Sequence, residues 1–250
     1  MPNFTEGLPR LEYLDVTEVP TVSVDTPFGK TAFHMYGEYT EFRVRTLLTK
    51  EPETVHWISE MRTGETLWDI GANIGIYSVL AGRRGVTVTA FEPSPTNFWL
   101  LNQNVSLNGL DAVRCLAFAL SGSTGLVSFA VDLTPAAAGI NQISSGTSRT
   151  IVQAYQADDL VASGAVGAPH HIKLDVDGIE LDILRGASGL LSDQTVRSVM
   201  CEVDESDEVT TREIHSLLKS FGFSSVTTRF PPYLDDNYYL PRANHLFRRT

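Results

Sequence analysis

The chain has 250 residues, 42% of them hydrophobic, which suits one large domain or a domain with an arm. Its net charge of −11 argues against nucleic acid as a partner, because phosphate contacts need clustered Lys and Arg. Two cysteines, Cys115 and Cys201, are too few for a disulfide framework or a cysteine metal site, and no apolar run approaches the roughly 18 residues of a membrane span.

The N-terminal 20 residues are polar, broken by prolines, and lack the basic-then-apolar order of a secretory signal, so a cytoplasmic protein is expected. Thr21–Asp25 and Thr31–His34 flank Thr-Pro-Phe-Gly-Lys and read as a hairpin. Phe42–Leu48 reads as a further strand or an extended connector. Glu51-Pro52-Glu53-Thr54 opens a helix running to Met61, with proline and acids in its first turn and Val55, Ile58 and Met61 facing the core. Residues 1–62 thus form an arm, and 63–250 the main domain.

From Thr66 onward strands and helices alternate, the pattern of a parallel sheet with helices on both faces. The strands are Glu65–Ile70, Val86–Phe91, Ala112–Ala119, His171–Leu174 and Ser198–Val203. Helices are expected at Ile76–Arg83, from Ser94-Pro95 to Asn108, at Ala157–Val161, at Glu180–Gly186 and at Val209–Phe221. Gly125–Val131 pairs with a run near Arg149–Ala154. The Gly-, Ser- and Ala-rich segment Asp132–Ser148 between them reads as a mobile loop and a candidate lid. Phe223–Arg229, Tyr238–Tyr239 and Asn244–Arg248 are terminal strands. Exposed strand edges at the two termini would suit a homodimer.

The first strand ends in Asp69 and is followed by Gly71-Ala72-Asn73-Ile74-Gly75; the second delivers Glu92 to the same sheet edge. Ligands of open α/β sheets bind at that edge. Glycines let the backbone approach a ligand, and an acid at the end of the second strand can accept hydrogen bonds from ribose hydroxyls. The spacing is G-x-x-x-G rather than G-x-G-x-x-G, and the preceding Asp69 would repel a pyrophosphate. No Gly-Lys-Ser/Thr follows, which excludes a Walker-type phosphate loop. S-adenosylmethionine fits: it carries a sulfonium, an ammonium and a ribose, and no phosphate. Ala119 and Leu120, after the third strand, would border the adenine.

A second cluster follows in His171-Ile172-Lys173-Leu174-Asp175-Val176-Asp177-Gly178-Ile179-Glu180. The strand brings Asp175 to the edge already holding Asp69 and Glu92. Asp177 and Glu180 resemble a capping box, a reading that leaves Asp175 unexplained. Three nearby carboxylates are also able to hold Mg²⁺ or Ca²⁺, but a calcium loop needs more ligands, so a divalent metal is not favoured. Glu202 ends the following strand. Asp175, then Asp177 and Glu202, are the candidate bases for deprotonating a hydroxyl. His170 and His171 lie at the far end of their strand and read as structural.

These motifs in order, from Lys50-Glu51-Pro52-Glu53-Thr54 through Asp69–Tyr77, Phe91-Glu92-Pro93 and Asn104–Asn108 to Lys173-Leu174-Asp175-Val176-Asp177-Gly178 and Leu184-Arg185-Gly186-Ala187, resemble the FkbM family of S-adenosylmethionine-dependent methyltransferases. The family typically has glutamate where this chain has Asp177. The resemblance implies a class I methyltransferase fold, Rossmann-like, with a mostly parallel seven-stranded sheet. It also implies O-methylation of a small-molecule acceptor with a free hydroxyl, often a sugar or polyketide-type natural product. Asp69, Gly71, Asn73, Gly75, Glu92 and Asp175 would hold the cofactor, with Glu51 assigned by analogy of position. Tyr36, Tyr39, Tyr233, Tyr238 and Tyr239 could shape the acceptor pocket. Two rivals remain: a nicotinamide-dependent oxidoreductase, disfavoured by the turn spacing and the lack of a Tyr-x-x-x-Lys pair, and a non-catalytic binding module, disfavoured by the retained acids.

Overall fold

The computed structural model describes residues 19–130, 142–143, 150–226 and 242–250. An antiparallel hairpin, β1 (Thr21–Thr26) and β2 (Gly29–His34), leads into helices α1 (Glu38–Arg45) and α2 (Pro52–Glu60). β3 (Thr66–Ile70), α3 (Ile76–Arg83), β4 (Thr87–Phe91), α4 (Pro95–Leu107) and β5 (Val113–Leu116) then alternate. β6 (Ala119–Leu120), β7 (Gly125–Ala130), β8 (Gln142–Ile143) and β9 (Thr150–Tyr155) make a separate four-stranded sheet in the order β6-β9-β7-β8. The chain continues through α5 (Ala157–Ala162), β10 (His171–Leu174), α6 (Glu180–Arg185), α7 (Ser188–Ser192) and β11 (Ser198–Asp204). α8 (Glu208–Ser220), β12 (Phe223–Val226) and β13 (Arg242–Arg249) follow.

The main sheet has seven strands in the order β12-β13-β11-β10-β3-β4-β5. β11, β10, β3, β4 and β5 are parallel, and β13 runs antiparallel between β11 and β12. The order reverses between β3 and β10, the switch point at which such sheets bind ligands. Every residue of β10, and all of β3 after Thr66, is buried, as befits central parallel strands covered on both faces. On one face the sheet packs against Val79, Leu80, Leu100 and Leu101 of α3 and α4 together with Trp57 and Ile58 of α2; on the other it packs against Ile183, Leu184, Ile214 and Leu218. Phe33, Val44 and Leu47 join the first of these clusters, so the arm shares the core of the main domain. None of the described helices is long and apolar enough to cross a membrane.

Three expectations need correction. Phe42–Leu48 is not extended: its first part lies in α1. Glu38 and Glu41 lie at the positive end of that helix and Arg43 and Arg45 at the other, Glu41 pairs with Arg45 one turn on, and the buried Val44 and Leu47 are three residues apart. Ala112–Ala119 is not one strand either. Phe118 packs between Phe91 and Tyr155, with ring centroids 5.8 and 4.8 Å away, and the chain crosses there from the main sheet to the second. The short α7 carried no expectation. Asp177 does not cap α6: it has a left-handed φ of 63°, and neither half of the expected box forms, since Glu180 accepts from the N–H groups of Val176 and Gly178 rather than that of Asp177. His171 is held between Ser198 and Glu65, as a structural histidine. The expected features at residues 1–18, most of the loop 132–148, the strand residues 227–229, and Tyr233, Tyr238 and Tyr239 lie outside the described residues.

Two asparagines fasten the hairpin to α4. Asn108 both accepts from and donates to the backbone of Ala32, at 3.0 and 2.6 Å. Asn104, fully buried, accepts from His34 N–H and donates to the Ile74 carbonyl, each at 2.8 Å. Replacing Asn104 by Ala would orphan both backbone groups and should lower stability by about 3 kcal/mol in urea unfolding. A loss under about 0.5 kcal/mol, the scale of a featureless surface change, would mean that apolar packing alone holds the hairpin.

Candidate active site

The turn after β3 is built on a close backbone approach. Gly71 has φ of +83°, and a Cβ there would lie 1.9 Å from the carbonyl oxygen of Asp175. The N–H groups of Gly71 and Ala72 donate to the Phe91 carbonyl at 3.0 Å, tying the turn to the end of β4. Gly75, at φ of +85°, leaves room for Leu101. Asn73 has φ of 51°, a conformation Asn tolerates better than most side chains. Its N–H donates to Glu92 Oε2 at 2.8 Å, and Ser94 N–H donates to Oε1 at 2.7 Å. Burial raises the Glu92 pKa to about 7 against these two hydrogen bonds. Each carboxylate oxygen keeps a second lone pair for a ligand hydroxyl.

Asp69 is placed differently from the other acids. It is 1% exposed and accepts from Ser78 of α3 at 2.6 Å, so it braces the turn from behind. Burial raises its pKa, with Lys173 and Ser78 opposing.

Around the end of β10 lies a compact charged group. Lys173, 1% exposed, donates to Asp175 Oδ2 at 2.6 Å, lies 4.0 Å from Glu51 Oε2, and sits 4.8 Å from the centre of the Tyr77 ring. Glu51, at the head of α2, also receives Lys50 at 3.3 Å and Thr54 at 3.1 Å. Burial disfavours the Asp175 charge, but Lys173 and Lys50 outweigh it and bring the pKa to about 2. Burial likewise opposes ionisation of Glu51, and Lys173 and Lys50 bring its pKa below the ordinary value. Glu51, Gly71, Asn73, Tyr77, Lys173 and Asp175 line a cleft partly open to solvent.

Beyond this group, Arg242 of β13 pairs with Asp177 and lies 3.4 Å from Glu202. Asn244 faces Glu202 across the strands and donates to Glu53 at 3.1 Å. Burial, then repulsion from Asp175 and Glu51, raise the Glu202 pKa to about 8 despite Arg242. Burial and Asp175 raise that of Asp177 as well. Asp175 therefore takes up a proton least readily, whereas Glu202 is largely protonated at neutral pH and becomes available as a base as pH rises through about 8. Ala119 and Leu120 are 4% and 2% exposed in β6. Among the described residues, no group of three or more His, Cys, Asp or Glu is arranged to hold a metal ion.

Sequence reading brought Glu51, Gly71, Asn73 and Asp175 to one cleft but missed Lys173, Tyr77, Arg242 and Asn244. A lysine inside a fully buried four-residue strand, two positions before Asp175, was the available signal for Lys173.

A mostly parallel seven-stranded sheet covered by helices, with its cleft at the switch point, is the class I methyltransferase fold. The crystal structure of methyltransferase FkbM from Methylobacillus flagellatus KT superposes with a TM-score of 0.52 at 18% identity, covering 86% of this chain and 56% of that one. Magnesium protoporphyrin IX methyltransferase (ChlM) from Synechocystis PCC 6803, solved with bound SAM, gives 0.50 at 15% identity, covering 84% and 83%. In sequence, the methyltransferase FkbM domain model matches residues 69–225. Hexuronic acid methyltransferase AglP of Haloferax volcanii is 33% identical over 189 residues, 75% of each chain. The 31-O-demethyl-FK506 methyltransferase FkbM of Streptomyces tacrolimicus is 27% identical over 237 residues, 82% of this chain and 90% of that one. The chain belongs to the FkbM methyltransferase family and is an enzyme of methyl transfer.

The Gly71 contact yields a direct expectation. Gly71→Ala combines an unfavourable φ with a backbone clash and should lower stability by about 2 kcal/mol or more. Gly109→Ala, at φ of +62° with nothing within 4 Å, is the control and should lose about 1 kcal/mol. Equal losses in thermal or urea unfolding would mean that the turn tolerates separation from β10.

Proposed function

We propose that the protein transfers a methyl group from S-adenosylmethionine to a hydroxyl of a sugar or natural-product small molecule. The observation that carries this reading is Glu92. Its carboxylate is fixed by two backbone N–H groups beside the Gly71–Gly75 turn, at the carboxyl edge of the sheet. An acid there is suited to accept from ribose hydroxyls. The turn at Gly71, Asn73 and Gly75 allows the cofactor close to the backbone. Glu51 and Asp175, both kept ionised, suit the cationic methionyl portion. Asp69 supports the turn through Ser78 rather than meeting the ligand, and Ala119 and Leu120 back the adenine side from within the core.

S-adenosylmethionine, when bound, supplies an electrophilic methyl on a sulfonium. The protein's part is to hold donor and hydroxyl in line and to remove the hydroxyl proton. Glu202 is the base this reading favours, since its pKa near 8 makes it a better acceptor than Asp175, while Asp177 is held by Arg242. The printed names of the two curated relatives, a hexuronic acid methyltransferase and a 31-O-demethyl-FK506 methyltransferase, support an oxygen-rich acceptor.

Two measurements test this reading. Calorimetry should find micromolar binding of S-adenosylmethionine that weakens at least about tenfold in Glu92→Ala, the loss of one charge-assisted contact; no binding by the wild type, with or without a hydroxylated acceptor panel, would refute the cofactor assignment. With an acceptor in hand, kcat/KM should rise with pH through about 8, because Glu202 accepts a proton only when ionised. Glu202→Gln should remove that limb and slow turnover by roughly 10²- to 10⁴-fold. A pH limb unchanged in the variant would transfer the role to another group.

A further inference from the structure

We propose that Lys173 is a positioning residue for methyl transfer: from the buried floor of the cleft it orients the Asp175 carboxylate toward the cationic donor, with Glu51 as its second partner. The inference rests on the methyl-transfer reading above.

A lysine ammonium is seldom fully buried, because leaving water is costly unless partners replace its hydration. Lys173 is 1% exposed in the central strand β10, with its stem inside the sheet and its head at the ligand edge. Its head meets Asp175 Oδ2 at 2.6 Å, Glu51 Oε2 at 4.0 Å and the Tyr77 ring at 4.8 Å. These three groups belong to the loop after β10, the head of α2 and helix α3, and all of them line the cleft. One oxygen of Asp175 is thereby fixed, which sets the plane of the whole carboxylate. Apolar packing alone would not require an ion here; a neutral side chain of similar length would fill the same space. What the ammonium adds is direction and charge for two acids at the mouth of a site meant for a sulfonium.

Other charged or titratable groups surround the pair. Arg43 comes from α1, Lys50, Glu51 and Glu53 from the head of α2, Asp69 from β3, Tyr77 from α3 and Glu202 from β11; Asp177 and Glu180 follow β10. Glu51, Glu53, Asp69 and Glu202 also feel Lys173 and shift with it, so the assignment to Asp175 rests on the double variant.

The test is calorimetric titration with S-adenosylmethionine of the wild type, Lys173→Met, Asp175→Asn and the double variant, from pH 6 to pH 8. Without its cation, buried Asp175 should resist ionisation. The Lys173→Met to wild-type ratio of dissociation constants should then grow as pH falls, by up to about tenfold per unit. A loss equal at pH 6 and pH 8 indicates space-filling only and overturns the proposal. If Lys173 acts through Asp175, the double variant should bind within about twofold of Asp175→Asn alone, the effects of coupled residues being non-additive. A further tenfold loss in the double variant overturns it. That comparison decides the matter even where Lys173→Met is unfolded, because the double variant leaves no uncompensated charge at Asp175. A wild type that fails to bind at all removes the methyl-transfer reading, and this proposal with it.

Discussion

Everything in the cleft depends on a contact that only a residue without a side chain can make. β3 and β10 lie side by side and in register, Asp69 opposite Lys173 and Ile70 opposite Leu174. Their loops therefore leave the sheet together, and the Gly71 Cα comes against the Asp175 carbonyl. That contact joins the two halves of the switch point. On one side hangs Asn73, which orients Glu92; on the other hang Lys173 and Asp175. Any Cβ at Gly71 would push the Glu92 side of the cleft away from the Asp175 side.

The acids themselves divide into two sets, each gathered by one cation. Lys173 lies between Glu51 and Asp175; Arg242 lies between Asp177 and Glu202. The consequences differ because the surroundings differ. Lys173, aided by Lys50, keeps Asp175 ionised, whereas burial and the neighbouring anions push Glu202 toward its neutral form. Carboxylates on adjacent strand ends are thus held in opposite states, one as an anion and the other inclined to keep its proton. The division arises from position in the sheet rather than from residue type.

Local signals were legible in the sequence. A glycine turn after an apolar strand, an acid closing the next strand and regular strand-to-helix spacing all depend on neighbours within a few residues, and the central β3–α3–β4 unit follows from them. Phe42–Leu48 was misjudged because a short apolar run shows no clear period; the burial of Val44 and Leu47 reveals the helical one. The strand break at Phe118 was hidden because its cause, Phe91 and Tyr155, lies elsewhere in the chain. The partner of Asp69 was hidden for want of knowing which face of β3 it occupies; it faces Ser78 of α3. Arg242 was invisible for the same kind of reason, since its partners lie 40 and 65 positions away in sequence.

The antiparallel β13 also bears on how charge is arranged at this edge. Running against its neighbours, it brings its first residues, Arg242 and Asn244, to the edge where the parallel strands bring their last. Its register therefore decides which side chains flank Glu202. A slip of one residue would turn Arg242 and Asn244 to the opposite face of the sheet and leave Asp177 and Glu202 without the guanidinium between them.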